Sequence, residues 1–405
     1  MYTKQILIWD YELKLSNSGG PSGYLYNIKE FLKSNPNKFE NIHFISDFIS
    51  KNNQQYINKE NKFIKFLYNI TFFKQRIDAL RCVKRWNTQL KINDTSVDFN
   101  KFDIIHFHVC SDLLRTEHLL KNYKGKIILT SHSPQPTSYE IAENITDKFS
   151  LIRFLQKKYL IRKEIKSWNL AAKIMFPVKE ATEPYRVNNN TRTYLIENKN
   201  KLLFCPSSIL DISIKNTKIE ICNHLNIPAD SFIISFIGRH NIIKGYDQLK
   251  EIAKLILEKY SNVYFVIAGK EAPITRLEHK RWIELGWINY GNDLISASDL
   301  FILPNKETYF DLVALEVLRV GTPILMTNTG GNKHFSTYSF SETKGIYYFE
   351  YGDLNNAFNI IEDIIVAKQN NRFCEIRESN RQLFLSHFTM KSFLDRYLSC
   401  LEKLN

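Results

Sequence analysis

Glu307 and Glu316 bracket the start of an apolar run, and Gly330-Gly331 closes the same stretch. From Leu312 to Leu318 every residue except Glu316 is apolar, so a helix through this run carries one carboxylate towards the core. Such a carboxylate is costly to bury without a partner. That partner is either a Lys or Arg elsewhere in the fold or the hydroxyls of a polyhydroxyl ligand. Glu307 stands just before the helix start, where free backbone N–H groups and a partial positive charge suit phosphate. At a rise of about 1.5 Å per residue, Glu316 falls roughly 10 Å from an anion held there. That span fits a sugar diphosphate and its ribose.

Other residues with chemical potential sit at strand ends. Gly238-Arg239 follows the apolar run Phe232–Ile237, and Lys244-Gly245 precedes an amphipathic stretch, so two cations flank a helix start and suit a diphosphate. Gly19-Gly20 lies between a short strand and a helix opened by Pro21, an arrangement that can cradle an anion or serve only as a turn. His132 lies just past the carboxyl end of a strand, where ligands of open α/β sheets bind. His106 and His108 are read as pointing to opposite faces of their strand, hence as structural histidines rather than metal co-ligands.

The elements that must position these groups alternate between short apolar strands and amphipathic helices twice over, which predicts two doubly wound α/β domains facing across a cleft. A chain of 405 residues is long enough for both. The domains are expected at 1–205 and 206–385, with a terminal helix over 386–405. The segment between the strand NVYFVIAGK and Glu284 is read as helical. Hydrophobic residues make up 44% and charged residues 24%, which excludes a largely disordered chain. No apolar run approaches a membrane span, and the amino-terminal run is too short for a signal peptide, so a cytoplasmic protein is expected. Six widely separated cysteines suggest neither a disulfide framework nor a zinc site.

Charge is one-sided. Residues 1–205 hold 33 Lys and Arg against 19 acids, whereas residues 206–405 hold 22 against 23. Residues 62–91 carry eight of those cations and one acid, Asp78, with Phe63, Leu67, Ile70, Phe73, Ile77 and Leu80 at helical spacing. This basic amphipathic stretch either packs on its own domain or, with Trp86 at the interface, meets an anionic membrane. No nucleic-acid recognition motif accompanies the charge, and no nucleic-acid partner is expected.

The ordered set Gly19-Gly20, His132-Ser133-Pro134, Gly238-Arg239 with Lys244-Gly245, Gly286-Trp287, Glu307 with Glu316, Gly321-Thr322-Pro323 and Gly330-Gly331 resembles glycosyltransferase family 4. The resemblance is strong over 232–335 and looser before 200. It implies a GT-B fold of two Rossmann-like domains and retaining transfer from a sugar nucleotide without a metal or other cofactor. It further implies that Arg239 and Lys244 hold the donor diphosphate, with Thr308, Tyr309, Phe310 and Leu312 alongside, and that Glu316 accepts hydrogen bonds from the ribose. Glu307 and His132 would act at the donor sugar, Gly19 and Gly20 would approach the leaving phosphate, and Gly286, Trp287 and Ile288 would border the base. The 386–405 helix would cross back to the first domain.

The spacing departs from the family in one respect. Eight residues separate Glu307 from Glu316 where the family has seven, and counting back from Glu316 lands on Thr308. Either a loop holds the extra residue and Glu307 keeps its role, or Thr308 replaces it. Asp311 stands where the family often has a small residue. The expected activity is sugar transfer from a nucleoside diphosphate to a hydroxyl of a glycan or lipid-linked glycan in surface polysaccharide synthesis, peripheral to the inner face of the cell membrane. The alternatives are a catalytically silent glycan-binding or partner subunit and a sugar-nucleotide epimerase.

Overall fold

The computed structural model of the chain describes residues 4–16, 20–49, 71–90, 92, 97–142, 145, 150–370 and 372–404. Gly19 and the front of the basic stretch, residues 62–70, lie outside the described residues. The chain divides into two units. One comprises residues 1–176, 184–205 and 400–405, the other residues 177–183 and 206–399.

In the first unit β1 (Ile6–Trp9), β2 (Ile42–Phe44), β3 (Ile104–Phe107), β4 (Lys126–Thr130), β5 (Lys173–Phe176) and β6 (Leu202–Phe204) form a parallel sheet in the order β2-β1-β3-β4-β5-β6. Its central strands are apolar runs buried on both faces, as parallel sheets covered by helices require. In the second unit β7 (Phe232–Ile237), β8 (Val263–Ala268), β9 (Trp282–Glu284), β10 (Leu300–Leu303), β11 (Ile324–Thr327) and β12 (Ile346–Phe349) are also parallel, ordered β12-β11-β10-β7-β8-β9. Read outward from β7, this is the doubly wound dinucleotide-fold order, and its topological switch point lies between β7 and β10. The helix Tyr246–Lys259 buries Leu249, Ile252, Ala253 and Ile256 against this sheet, while Leu354–Gln369 adds Ile361 and Ile364 to the same core. Both units are therefore doubly wound α/β structures, as expected.

Three expectations are corrected. The segment before Glu284 is not helical: Trp282–Glu284 pairs with Phe265–Ile267 of β8, and Pro273 upstream lacks the N–H a helix needs. His106 and His108 do not face apart. Residues two apart on a strand share a face, and their rings lie 4.1 Å apart. The basic helix, described over Thr71–Asn87, turns a different side inward from the one its spacing suggested. Ala79 and Trp86 are buried and Leu80 is exposed, because the helix packs against Cys110–Thr116 and Leu151–Leu170. Trp86 is thus a core residue and is not available to a membrane.

Among the described residues no helix is long and apolar enough to cross a membrane. The six cysteines are free thiols. The terminal helix spans Met390–Glu402; its end belongs to the first unit, where Lys126 donates to the Leu404 carbonyl and the Cys400 thiol to that of Phe204.

Candidate functional site

At the switch point of the second unit the loops after β7 and β10 meet. Gly245, with φ +67°, packs so tightly on Pro304 that a Cβ would collide with the Pro304 carbonyl oxygen; only glycine permits this approach. The Lys306 N–H closes the junction by donating to the Ile243 carbonyl at 3.0 Å, and the Lys244 N–H donates to Asn241 Oδ1 at 2.9 Å. Arg239, on the first loop, is exposed, and its guanidinium has no partner among the described residues. The neighbouring His240 is buried and stacks on Tyr246 at 3.9 Å, which anchors the loop behind Arg239.

Lys244 is engaged. Its Nζ donates to both carboxylate oxygens of Asp311 at 2.7 Å each, and Asn305 Nδ2 donates to the same carboxylate. Burial pushes the Asp311 pKa up, but the charge and hydrogen bonds of Lys244, with those of Asn305, outweigh it and hold the carboxyl below its usual range. Asp311 occupies the N-cap of the helix Leu312–Arg319, yet its side chain caps none of the helix's first N–H groups. An aspartate at this position ordinarily does so. No side chain caps the helix start, although the Ala314 N–H donates to the Asp311 carbonyl at 3.1 Å; Lys244 and Asp311 stand beside it and Leu312, partly exposed, is its first residue.

Four residues along the helix, Glu316 is half-buried by area but enclosed by protein. Burial raises its pKa, with the Arg319 charge acting the other way. Among the described residues no hydrogen bond or ion pair reaches its carboxylate. Arg319 is committed elsewhere, to the Leu210 carbonyl at 2.6 Å and to Asn292. Among the described residues no cation pairs directly with Glu316, and Arg319 acts on it only through its charge.

Glu307 is half-buried, whereas Thr308 is 1% exposed. Tyr309 and Phe310 are buried, and the Phe310 ring stacks on Phe335 at 5.5 Å, so what this residue can offer a ligand is backbone. The Gly331 N–H donates to the Thr308 carbonyl at 3.2 Å, and a Cβ on Gly330 or Gly331 would strike the Thr308 or Tyr309 carbonyl oxygen. Near the end of β9, Gly286 takes φ +64°, Ile288 packs on the core below, and Trp287 is 77% exposed.

In the first unit, Gly20 opens the helix Gly20–Ser34 with φ +61° and open space where a Cβ would stand. His132 lies beyond β4. Its Nε2 is 2.9 Å from His108 Nδ1, and the Tyr24 ring is 4.9 Å away. His106 Nε2 meets Thr130 Oγ1 at 2.8 Å. Burial depresses His132 and His106 to about 3, and it drives His108 well below the usual range, with its histidine neighbours adding to the effect for His106 and His108. All three imidazoles are neutral near pH 7. His108 was missed as a partner of His132, although correct strand parity would have placed it on the face of His106. The contacts of Asp311 to Lys244 and Asn305 had no local signal.

A cavity of about 500 Å³ lined by Ile212, Val320, Cys374 and Arg377 opens elsewhere in the second unit. Its arginines Arg319, Arg377 and Arg381 are committed to carbonyl oxygens, Asn292 and Asp211, leaving no cation for a diphosphate.

Residues 231–361, which span the switch point, match a known family model. The match is to glycosyl transferases group 1. A protein of the cps region of Klebsiella pneumoniae, named for its 41.2 kDa mass, is 24% identical over 320 residues, covering 75% of this chain and 81% of that one. The O-antigen biosynthesis glycosyltransferase WclY of Escherichia coli is 22% identical over 335 residues, covering 79% and 85%. Among solved structures, sucrose-phosphate synthase of Thermosynechococcus elongatus superposes with a TM-score of 0.62 at 16% identity, covering 99% of each chain. The HepE protein of Anabaena in complex with UDP and glucose gives 0.61 at 13% identity, covering 99% of this chain and 100% of its own. The segment matched to the glycosyl transferases group 1 model contains Arg239, Lys244 and Glu316, and the solved structures share the fold of two doubly wound units.

Proposed function

We propose that this protein is a retaining, metal-independent glycosyltransferase that moves a sugar from a nucleoside diphosphate to a hydroxyl of a glycan or lipid-linked glycan during surface polysaccharide synthesis. The observation that carries the reading is the convergence at the β7/β10 switch point of Arg239 and Glu316, neither with a side-chain partner among the described residues, with Lys244 and a helix start that no side chain caps. Relatives named for O-antigen synthesis and a neighbour in complex with UDP and glucose support the same class of donor and pathway.

Arg239, Lys244 and the first N–H groups of the helix take the donor diphosphate, and Glu316 takes the ribose hydroxyls. As the bond between the anomeric carbon and the leaving phosphate breaks, negative charge builds on the diphosphate, and these fixed donors stabilise it without reorganising. The acceptor oxygen bonds to the same carbon and its proton passes to the departing phosphate oxygen. Neutral His132, held by His108, offers a hydrogen bond rather than a charge to the sugar. Glu307 or Thr308 lies by the reacting carbon.

A second reading, a catalytically silent subunit, is favoured by the spacing of the glutamates, because Thr308 occupies the position counted back from Glu316. Incubating the purified protein with a panel of nucleotide sugars and a glycan acceptor separates the two. Transfer that is lost in Glu316→Ala and Lys244→Ala supports the enzyme; donor binding without turnover supports the silent subunit, and product formed without acceptor supports an epimerase.

Peripheral membrane attachment belongs to the proposal. The helix Leu151–Leu170 exposes Leu151, Phe154 and Leu155 beside the exposed cations Lys158 and Arg162, a composition suited to an anionic interface. Flotation with anionic and neutral vesicles tests it: equal recovery with both removes the electrostatic component.

A further inference from the structure

The ion pair at the helix start is the one feature of the site that the donor-binding reading leaves without a role. Lys244 and Asp311 are both partly buried, at 24% and 21% side-chain exposure, and are joined through both carboxylate oxygens. Asn305, itself fully buried, fixes the carboxylate from the other side. Asp311 stands at the N-cap but leaves the helix N–H groups uncapped, so its position is explained by Lys244 and not by the helix.

We propose that Asp311 is an internal competitor for Lys244, which weakens the hold on the departing nucleoside diphosphate and so sets the rate of product release. This rests on the assignment of Lys244 to the donor diphosphate. A diphosphate at the helix start must draw the Lys244 ammonium away from a carboxylate that already holds it, and must sit beside that carboxylate's like charge. When the sugar has left, the product diphosphate meets the same opposition, and Asp311 recaptures Lys244 as it departs. A site with Lys244 and Arg239 both bare would instead retain its product. Opposed charges a few ångströms apart in a partly buried site are worth an order of magnitude or more in affinity.

The test is calorimetric titration of the full-length protein with uridine, guanosine and adenosine diphosphates, using the wild type, Asp311→Asn, Lys244→Ala and the double variant. Asparagine keeps the size of the side chain and an oxygen to face Lys244. Asp311→Asn is expected to bind the recognised diphosphate roughly tenfold more tightly, to show stronger product inhibition and to turn over more slowly at saturating donor. The gain should be smaller in the Lys244→Ala background, where only relief of the carboxylate's like charge remains. Asp311→Ala, measured in parallel with thermal unfolding, should shift affinity in the same direction. If Asp311→Asn binds no more tightly than a wild type whose affinity does depend on Lys244, the competitor role is overturned while the donor site stands. If the wild type binds none of the diphosphates, or Lys244→Ala binds like the wild type, the donor-site reading fails and takes this proposal with it.

Discussion

Replacing Glu316 by Gln should improve the stability of the ligand-free protein and impair the binding of its donor. The carboxylate is enclosed, burial raises its pKa against the opposing charge of Arg319, and no cation pairs with it among the described residues. A carboxyl whose pKa is higher in the folded than in the unfolded state binds its proton more tightly when folded. Its penalty is therefore absent below the unfolded value and grows as pH rises through the folded value. Glu316→Gln removes that penalty, so its melting temperature should exceed the wild type's at pH 7 and converge with it under acid conditions. Binding should move the other way. A hydrogen bond to a charged group contributes about 1.5–3 kcal/mol, so loss of one ribose contact should weaken the nucleoside diphosphate roughly tenfold to a hundredfold. The decisive assay pairs the ribonucleotide with its 2′- and 3′-deoxy analogues in isothermal titration. The wild type should discriminate against at least one analogue, and Glu316→Gln should bind all three alike. A variant that is destabilised at pH 7, or that keeps full discrimination, would refute the reasoning, because Glu316 would then have a protein partner or no contact with the ribose.

Three further outcomes are expected. Arg239→Ala, which removes an exposed and unengaged guanidinium, should leave the melting temperature unchanged while weakening donor binding and flattening its salt dependence. Gly245→Ala should cost more than about 1 kcal/mol in denaturant unfolding, since a left-handed residue would gain a Cβ that strikes Pro304. Finally, the buried neutral histidines His106, His108 and His132 have folded pKa values below their unfolded ones, so the unfolded state gains protons first. Stability should fall as pH drops below about 6.5, by up to about 1.4 kcal/mol per pH unit for each histidine. Unfolding of His132→Gln between pH 7 and pH 5 should show a shallower loss than the wild type.

Much of the fold was legible because covered parallel strands appear as apolar runs, as at Phe232–Ile237 and Leu300–Leu303, and because Gly238 and Pro304 mark where they stop. Trp282–Glu284 escaped because three residues carry too little pattern, and only pairing with β8 makes them a strand. The inward face of Thr71–Asn87 escaped for a related reason: neighbouring helices decide that the indole of Trp86 is covered while Leu80 is not. Residue type and place along the chain were enough to single out Arg239, Lys244 and Glu316 as candidates. The pairing of Lys244 with Asp311 left no such trace, since they lie 67 positions apart and a long-range ion pair leaves no local periodicity.

The glycine pair at 330–331 has a consequence for how such a site can diversify. It receives the backbone of Thr308 and Tyr309, so the path of that loop is held by main-chain contact and a main-chain hydrogen bond as well as by the side chains along it. The partly exposed side chain at 307 can therefore be exchanged while the helix behind it stays in register, whereas a charge placed at Thr308, 1% exposed, would need a partner. The loop acts as a fixed rail in front of the helix, and Thr308 and Asp311 lie on it.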